Sequence, residues 1–286
     1  MRGHLDKLGA RTAVITGAGS GLGRAIALEL AGRGWSVGVS DIDGECSLEA
    51  LALVEDAGGT GCAFTCDVRS PGEVLEMAGH FKRAFGTVGL LVNNAGVAGG
   101  GLVGDIPVDD WHRIVDTNLW GVIHGCHAFV PVMKAQGRGH ILNVASFAGI
   151  MCLPEMAPYN VAKAGVISLS ETLRSELAAH HIGVTVACPT FFNTNLMASM
   201  SCTEEFQAEF ARSAFENAKL TTDEVARAIL GGADRNRLYV FPQPSARFAW
   251  ASKRLSPSAH HGLMALLCRL GVGHSVMMRI SRRGLL

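Results

Sequence analysis

The sequence predicts an α/β fold: a single doubly wound domain with a seven-stranded parallel sheet and helices on both faces. Three observations carry that reading. Short apolar runs alternate with helical stretches from the start of the chain. The runs are apolar nearly throughout, as strands covered on both faces require. The residues with chemical potential fall at the C-terminal ends of those runs or just beyond, where open α/β sheets bind ligands.

The elements follow in order. Residues 12–16 read as a buried strand, followed by a glycine turn and a helix over about 22–32. Residues 37–40 form a second strand ending in Asp41, and a helix follows through Leu48 and Val54. Residues 61–66 form a third strand ending at Asp67. Ser70-Pro71-Gly72-Glu73 is a capping box with proline at the first helical position. Residues 88–92 form a fourth strand, with Asn93-Asn94-Ala95-Gly96 after it. Helical stretches cover 108–116 and 117–136, and a fifth strand, 140–145, ends at Ser146. A long helix runs over about 158–180, then a sixth strand over 183–187. Ser201-x-x-Glu204 and Thr221-x-x-Glu224 predict two further capping boxes, and 238–241 a short seventh strand.

The bulk numbers suit a globular protein. The 286 residues are 48% hydrophobic and 17% charged, with no repeat or low-complexity tract. Formal net charge is zero, which gives no sign of nucleic acid. The charge is nevertheless uneven. No acidic residue follows Asp234, whereas nine bases do, so the tail carries +9 and residues 1–234 carry −9. That asymmetry fits a membrane or polyanion surface, or a tail docked on the acidic body of its own oligomer. Eight cysteines without a C-x-x-C pair read as buried free thiols in a reducing compartment, hence a cytoplasmic expectation. No secretory signal is visible at the N-terminus, and no run reaches the ~20 apolar residues of a spanning helix. His124 and His127 lie at i and i+3 in an apolar helix without a carboxylate partner, so they read as a buried structural pair and no metal is expected.

The glycine turn Thr16-Gly-Ala-Gly-Ser-Gly-Leu-Gly23 follows a strand and opens a helix. Gly17 permits the tight turn, while Gly21 and Gly23 let backbone approach a pyrophosphate and helix pack on sheet. The helix N-terminus then offers free N–H groups to phosphate. Asp41, eighteen residues after Gly23, can accept hydrogen bonds from a ribose 2′-hydroxyl and repels a 2′-phosphate. NAD is therefore favoured over NADP; the alternative for Asp41 is an ordinary turn aspartate. Arg24 and Arg33 are nearby bases that read as solvated helix residues. Tyr159 and Lys163 sit four apart, a spacing that shares one helix face. A neighbouring ammonium is expected to lower the phenol from its ordinary pKa of about 10, which suits general acid–base work.

On these residues the chain resembles the short-chain dehydrogenase/reductase family, over roughly residues 10–242. The signatures fall in order: the glycine turn at 16–23, Asp67, Asn93-Asn94-Ala95-Gly96, Asn118, and Ser146 with Tyr159-x3-Lys163. The resemblance implies a Rossmann-type domain whose catalytic tetrad is Asn118, Ser146, Tyr159 and Lys163. Tyr159 would exchange a proton with a carbonyl or alcohol oxygen. Ser146 would hydrogen-bond the same oxygen, Lys163 would hold the nicotinamide ribose, and Asn118 would anchor a water in a proton relay. The cofactor site it implies takes in Gly17, Ser20, Gly21, Leu22, Gly23, Asp41, Asp67, Val68, Asn94, Gly96, Tyr159, Lys163, Phe192 and Thr194. Relatives carry Pro-Gly after the sixth strand, where this chain has Pro189-Thr190. A homodimer or homotetramer is also implied only by the resemblance.

By the same resemblance the substrate pocket is lined by 97–102, 147–156 and 191–215, with a lid at about 191–217. Phe147, Ile150, Met151, Leu153, Met156, Phe191, Phe192, Leu196, Met197 and Met200 make those stretches apolar, and Glu155 is their main charge. No arginine is placed to clamp a carboxylate or phosphate. Phe206, Phe210 and Phe215 lie near one face of a helix, as pocket cover or as core. The expected activity is interconversion of a lipophilic secondary alcohol and its ketone (steroid-, terpene- or aryl-carbinol-like) with NAD. A catalytically silent nucleotide sensor or scaffold, or a membrane-surface protein, is the alternative. Residues 1–242 form the catalytic unit in this reading. The basic, partly apolar extension 243–286 is a surface amphipathic segment, a lid or an oligomer contact, which leaves peripheral membrane contact open.

Overall fold

A computed structural model describes residues 3–194 and 200–284. Leu196 and Met197, expected in the pocket wall, lie outside the described residues. The elements are β1 (Thr12–Thr16), α1 (Gly21–Gly32), β2 (Ser36–Asp41), α2 (Gly44–Asp56), β3 (Thr60–Thr65), α3 (Pro71–Phe85), β4 (Leu90–Asn93) and a two-residue β5 (Gly99–Gly100). They continue with α4 (Val108–Val115), a single π-helical turn (Asp116–Trp120), α5 (Gly121–Gln136), β6 (Gly139–Val144), α6 (Ala148–Met151), α7 (Ala157–Glu176) and β7 (Ile182–Ala187). Then come β8 (Ser201–Cys202), α8 (Glu205–Glu216), α9 (Thr222–Asp234), β9 (Tyr239–Val240), α10 (Pro244–Leu255), α11 (Pro257–Arg269) and α12 (Gly273–Arg282).

Seven strands form one parallel sheet in the order β3-β2-β1-β4-β6-β7-β9. The expected strand count and direction hold. Side chains alternate between the two faces: Ala13 and Ile15 join one apolar cluster with α1, α2 and α9, and Val14 joins the other with α3, α5 and α7. The order reverses between β1 and β4, so the crevice above their C-terminal ends is the binding position that this topology creates. A buried polar chain ties that region to α7. Asn93 donates to Asn143 at 2.8 Å, and Asn143 donates to Ser170 at 3.0 Å. It fixes the sheet against the helix that carries Tyr159.

Local chemistry explains most boundaries, and some differ from the sequence reading. Asp43 caps α2 by accepting from Glu45 and Cys46 N–H groups. Ser70 accepts from Glu73 N–H, but the Glu73 carboxylate turns to Asp67 N–H at 2.9 Å, so the expected box is only half closed. Thr221 and Glu224 do form a reciprocal box. The box expected at Ser201–Glu204 is displaced: Ser201 belongs to β8, and Glu204 with Gln207 caps α8. The tiny β5–β8 sheet was not legible, because two residues leave no period to detect. The expected buried histidine pair is also corrected. His127 is exposed, and half-buried His124 pairs with the Val68 carbonyl at 2.9 Å. Among the described residues no group of three or more His, Cys, Asp or Glu could hold a metal. All eight cysteines are free, but Cys152 and Cys268 are exposed rather than buried.

One buried histidine sets an acid limit. His140, in β6 of the main sheet, is fully buried and shares a 2.9 Å hydrogen bond with the Thr185 hydroxyl. That hydroxyl donates to the Arg237 carbonyl, so His140 Nε2 carries the proton and Nδ1 is bare. Burial, then the neighbouring His4 and Arg174, pulls its pKa down to about 3. The unfolded chain titrates near 6.5 and binds the extra proton first, so stability is full above that pH and falls as pH drops towards 3. The expected slope is roughly 1.4 kcal/mol per pH unit from this group. Tm measured between pH 6.5 and 5 should fall more steeply for the wild type than for His140→Asn; parallel profiles would contradict the assignment.

Candidate active site

The glycine turn forms as its sequence requires. Gly17 and Gly21 adopt φ of 63° and 51°, a region that L side chains avoid. A Cβ at Gly17 would stand 2.7 Å from Ala95 Cα, and one at Gly23 would run into the Gly17 carbonyl. Thr16 Oγ1 accepts from Asn94 and Ala95 N–H groups, and the Asn94 amide donates to the Thr16 and Gly17 carbonyls at 3.0 Å. Asn94 thus staples the turn to the loop after β4. Ser20 precedes the first turn of α1, whose N–H groups open into the crevice with Leu22 beside them.

Asp41 ends β2 with one oxygen accepting from Gly19 N–H at 2.9 Å and the other from Asp43 N–H at 3.2 Å. Each oxygen keeps a lone pair for a further donor. Arg24 reaches the Gly19 carbonyl and lies 3.6 Å from Glu49, while Arg33 is bound to Glu29 and Asp234. Neither base is the free solvated group expected. Asp67 is held by Arg69 in a bidentate pair at 2.6–3.0 Å, which keeps its carboxyl below the usual range. The sequence reading did not see that partner. Val68 is buried beside it. Glycines without room for a side chain, open helix N–H groups and a carboxylate at the end of β2 fit a dinucleotide.

Asn118 lies in the π-turn between α4 and α5, an irregularity that re-aims a side chain and is frequent at functional sites. It is fully buried. Its Oδ1 accepts from Val97 N–H at 2.9 Å and its Nδ2 donates to Val97 O at 2.8 Å. A Cβ at Gly96 would stand 2.7 Å from Asn118 Oδ1, so the chain needs glycine there for this contact. Ser146 follows β6, and its Oγ accepts from Ala148 N–H at 3.1 Å, which leaves the hydroxyl proton free to donate. Tyr159 and Lys163 occupy the first turns of α7 and are both buried. Lys163 Nζ lies 5.7 Å from the centre of the Tyr159 ring and donates to Val144 O at 3.0 Å.

The electrostatics correct one expectation. Tyr159 titrates above its ordinary value, not below. Burial raises it, and the Ser146 hydroxyl offsets part of the rise. Burial also draws Lys163 down to about 8, with the thiol of Cys188 opposing. The ammonium sits over the ring rather than at the phenol oxygen, so desolvation prevails over charge attraction.

All four residues open into one cavity of about 750 Å³, together with every expected cofactor residue except Gly23, which packs behind the turn against the Gly17 carbonyl. Beyond Tyr159 its wall is mostly apolar, with Met156, Met200, Phe191, Phe206, Phe210 and Phe215, and Glu155, Gln207 and Arg113 are its polar members. The phenylalanines of α8 are therefore pocket cover. Of the expected lining, Phe147, Ile150 and Met151 do not reach it, while Leu153 does. Arg113 reaches the wall but binds Asp110 at 3.2 Å and Ser201 at 2.7 Å. Two contributions were invisible in the sequence because they come from the far end of the chain. Gln243 accepts from Thr190 N–H at 3.1 Å and donates to Phe191 O at 3.3 Å, fixing the loop where relatives carry glycine. Met277 of α12 lines the cavity, and His274 stacks on Phe206 with ring centres 3.6 Å apart while pairing with Glu155 at 2.6 Å.

The family model for short chain dehydrogenases matches residues 11–205. The SadH protein of Mycobacterium tuberculosis, named as an oxidoreductase, is 33% identical over 259 residues, covering 89% of this chain and 94% of the relative. A short-chain dehydrogenase/reductase of Burkholderia phymatum, crystallised with NAD, superposes with a TM-score of 0.83 at 30% identity, covering 87% of this chain and 95% of that one. Apo LigD of Sphingobium sp. strain SYK-6 superposes with a TM-score of 0.74 at 31% identity, covering 86% and 94%. The chain belongs to the short-chain dehydrogenase/reductase family of oxidoreductases.

Proposed function

We propose that the protein interconverts a lipophilic secondary alcohol and its ketone with NAD, using Tyr159 as the general acid and base. The observation that carries the reading is the single cavity in which Tyr159, Ser146, Lys163 and Asn118 meet an apolar wall of methionines and phenylalanines. A nicotinamide dinucleotide supplies the hydride chemistry when bound. The relative crystallised with NAD supports that cofactor, and the Asp41 carboxylate favours it over the 2′-phosphorylated form. Gly17, Ser20, Gly21, Leu22 and Gly23 would hold the pyrophosphate, Asp41 the adenosine ribose, and Asp67 with Val68 the adenine edge. Asn94, Gly96, Phe192 and Thr194 would border the nicotinamide half.

The chain's own residues divide the proton work. Ser146 donates to the reacting oxygen and orients it beside the phenol. Tyr159 gives its proton to that oxygen in reduction and removes it in oxidation. Lys163 holds positive charge under the ring, and Asn118 stiffens the floor by clamping Val97. Because burial keeps the phenol protonated at neutral pH, reductive kcat/KM should hold level there and oxidative kcat/KM should climb into the alkaline range. An oxidative profile flat through that range would contradict the phenol's role.

The assay is a panel of hydrophobic ketones and alcohols against both dinucleotides. Turnover with NAD is expected; NAD binding without turnover of any pair would favour the nucleotide sensor. Asp41→Ala should narrow the NAD preference by about tenfold, the weight of a hydrogen bond to a charged group. An unchanged NAD/NADP ratio would show the ribose assignment to be wrong. Residues 1–242 then form the catalytic unit, and 243–286 an extension whose last helix completes the pocket. Homodimeric or homotetrameric assembly, which sedimentation velocity would test, rests on the family; cytoplasmic placement rests on the eight free thiols.

A further inference from the structure

The tail packs on the body unevenly. α10 lays Trp250 against Tyr239 and Phe241 at ring distances of 5.4 Å. α12 is pinned to α8 by the Ser213–Ser281 hydrogen bond at 2.9 Å and by Arg282–Glu209 at 3.6 Å. Between them α11 has no buried residue. Its half-buried side chains, His260, Met264 and Leu267, recur at helical spacing and face the protein. Leu263, Leu266 and Leu270 recur on the adjoining stripe and are 57%, 50% and 62% exposed. On α10, Phe248 and Leu255, seven residues apart, are 80% and 88% exposed. Solvent-facing leucines repeated along one helix face are not explained by the fold of the monomer.

Charge says what could cover them. No acidic residue follows Asp234, and nine bases do. Arg247, Arg254, Arg269 and Arg279 form no ion pair among the described residues, and Arg254 lies 5.1 Å over the Trp250 ring. A second copy meeting this face would set bases against bases, because an isologous contact repeats the same patch on both sides. An anionic bilayer surface satisfies both features, taking leucine and phenylalanine side chains into its acyl boundary and arginines among its headgroups. No single described helix is long and apolar enough to span a membrane; α11 and α12 reach that length and composition only as a pair, which bends by 108° at its break.

We propose that the exposed face of α11, with the arginines of α10, α11 and α12 that form no ion pair, docks the protein on anionic lipid surfaces. The docking helix leads directly into α12, whose Met277 forms part of the cavity wall, so a lipophilic substrate dissolved in the bilayer is held next to the pocket. The docking step is independent of the oxidoreductase reading, and Tyr159→Phe should dock like the wild type.

The test is co-sedimentation of the full chain with phosphatidylcholine vesicles and with phosphatidylcholine–phosphatidylglycerol vesicles, alongside sedimentation velocity without lipid. Wild type should pellet with the anionic vesicles and much less with the neutral ones, and added salt should weaken the effect. L263S/L266S/L270S and, separately, R247Q/R269Q/R279Q should each lower the bound fraction by about tenfold. All six positions are exposed, so both variants should keep the wild-type Tm. Absence of wild-type pelleting, or equal pelleting by the leucine variant, would overturn the proposal. So would a leucine variant that loses a wild-type oligomer while vesicles bind neither protein, since the face would then be an interface between copies.

Discussion

Tyr159→Phe is expected to reduce turnover by about 10²–10⁴-fold in both directions while NAD binding stays near wild type. The size follows from the surroundings. The phenol is buried, and Ser146 is the hydroxyl that faces it. The ring itself packs with Ala98, Ile114 and Ala148, contacts that phenylalanine keeps. The substitution therefore removes one oxygen without opening a hole, and a change in Tm should be small. Kinetics for both directions and NAD titration of the same preparation separate a lost proton donor from a lost fold. A variant that retains more than a tenth of wild-type turnover would move the proton chemistry to another group.

Gly23→Val is expected to abolish productive cofactor use. A Cβ there meets the Gly17 carbonyl and comes within 2.6 Å of the Asn94 amide. Both atoms belong to the staple between the first turn and the loop after β4, so neither can yield alone. A forced shift of about 1 Å in that turn is worth about hundredfold in turnover, and overpacking adds roughly 1–3 kcal/mol of destabilisation. Isothermal titration with NAD and a thermal melt check the two parts. Wild-type affinity in a folded variant would remove the turn from the cofactor site.

What could be read from the chain alone was whatever repeats or lies close in sequence. Apolar runs bounded by glycine and aspartate located all seven strands of the main sheet, because strands buried on both faces leave a continuous signal. The glycine turn and the Tyr159–Lys163 spacing were legible because each is a local geometric demand. The sense of the Tyr159 shift was not, since burial depends on the whole fold around the phenol. Arg69 beside Asp67 was overlooked although it is two residues away, because spacing alone does not say where an arginine turns. Gln243, His274 and Met277 were out of reach for another reason. They approach the pocket from an extension whose helices carry no sequence link to the loops they hold, and only the packing of α10 and α12 brings them there. The π-turn at Asn118 left just one trace, the break between the helical stretches 108–116 and 117–136.

The most direct test is a crystal structure of the protein with NAD and an unreactive hydrophobic ketone. The nicotinamide ring should lie over Lys163, with the ketone oxygen within hydrogen-bond reach of both Tyr159 and Ser146 and its carbon about 3–3.5 Å from the nicotinamide. A dinucleotide seated elsewhere, or a ketone whose oxygen turns away from that phenol, would contradict the account.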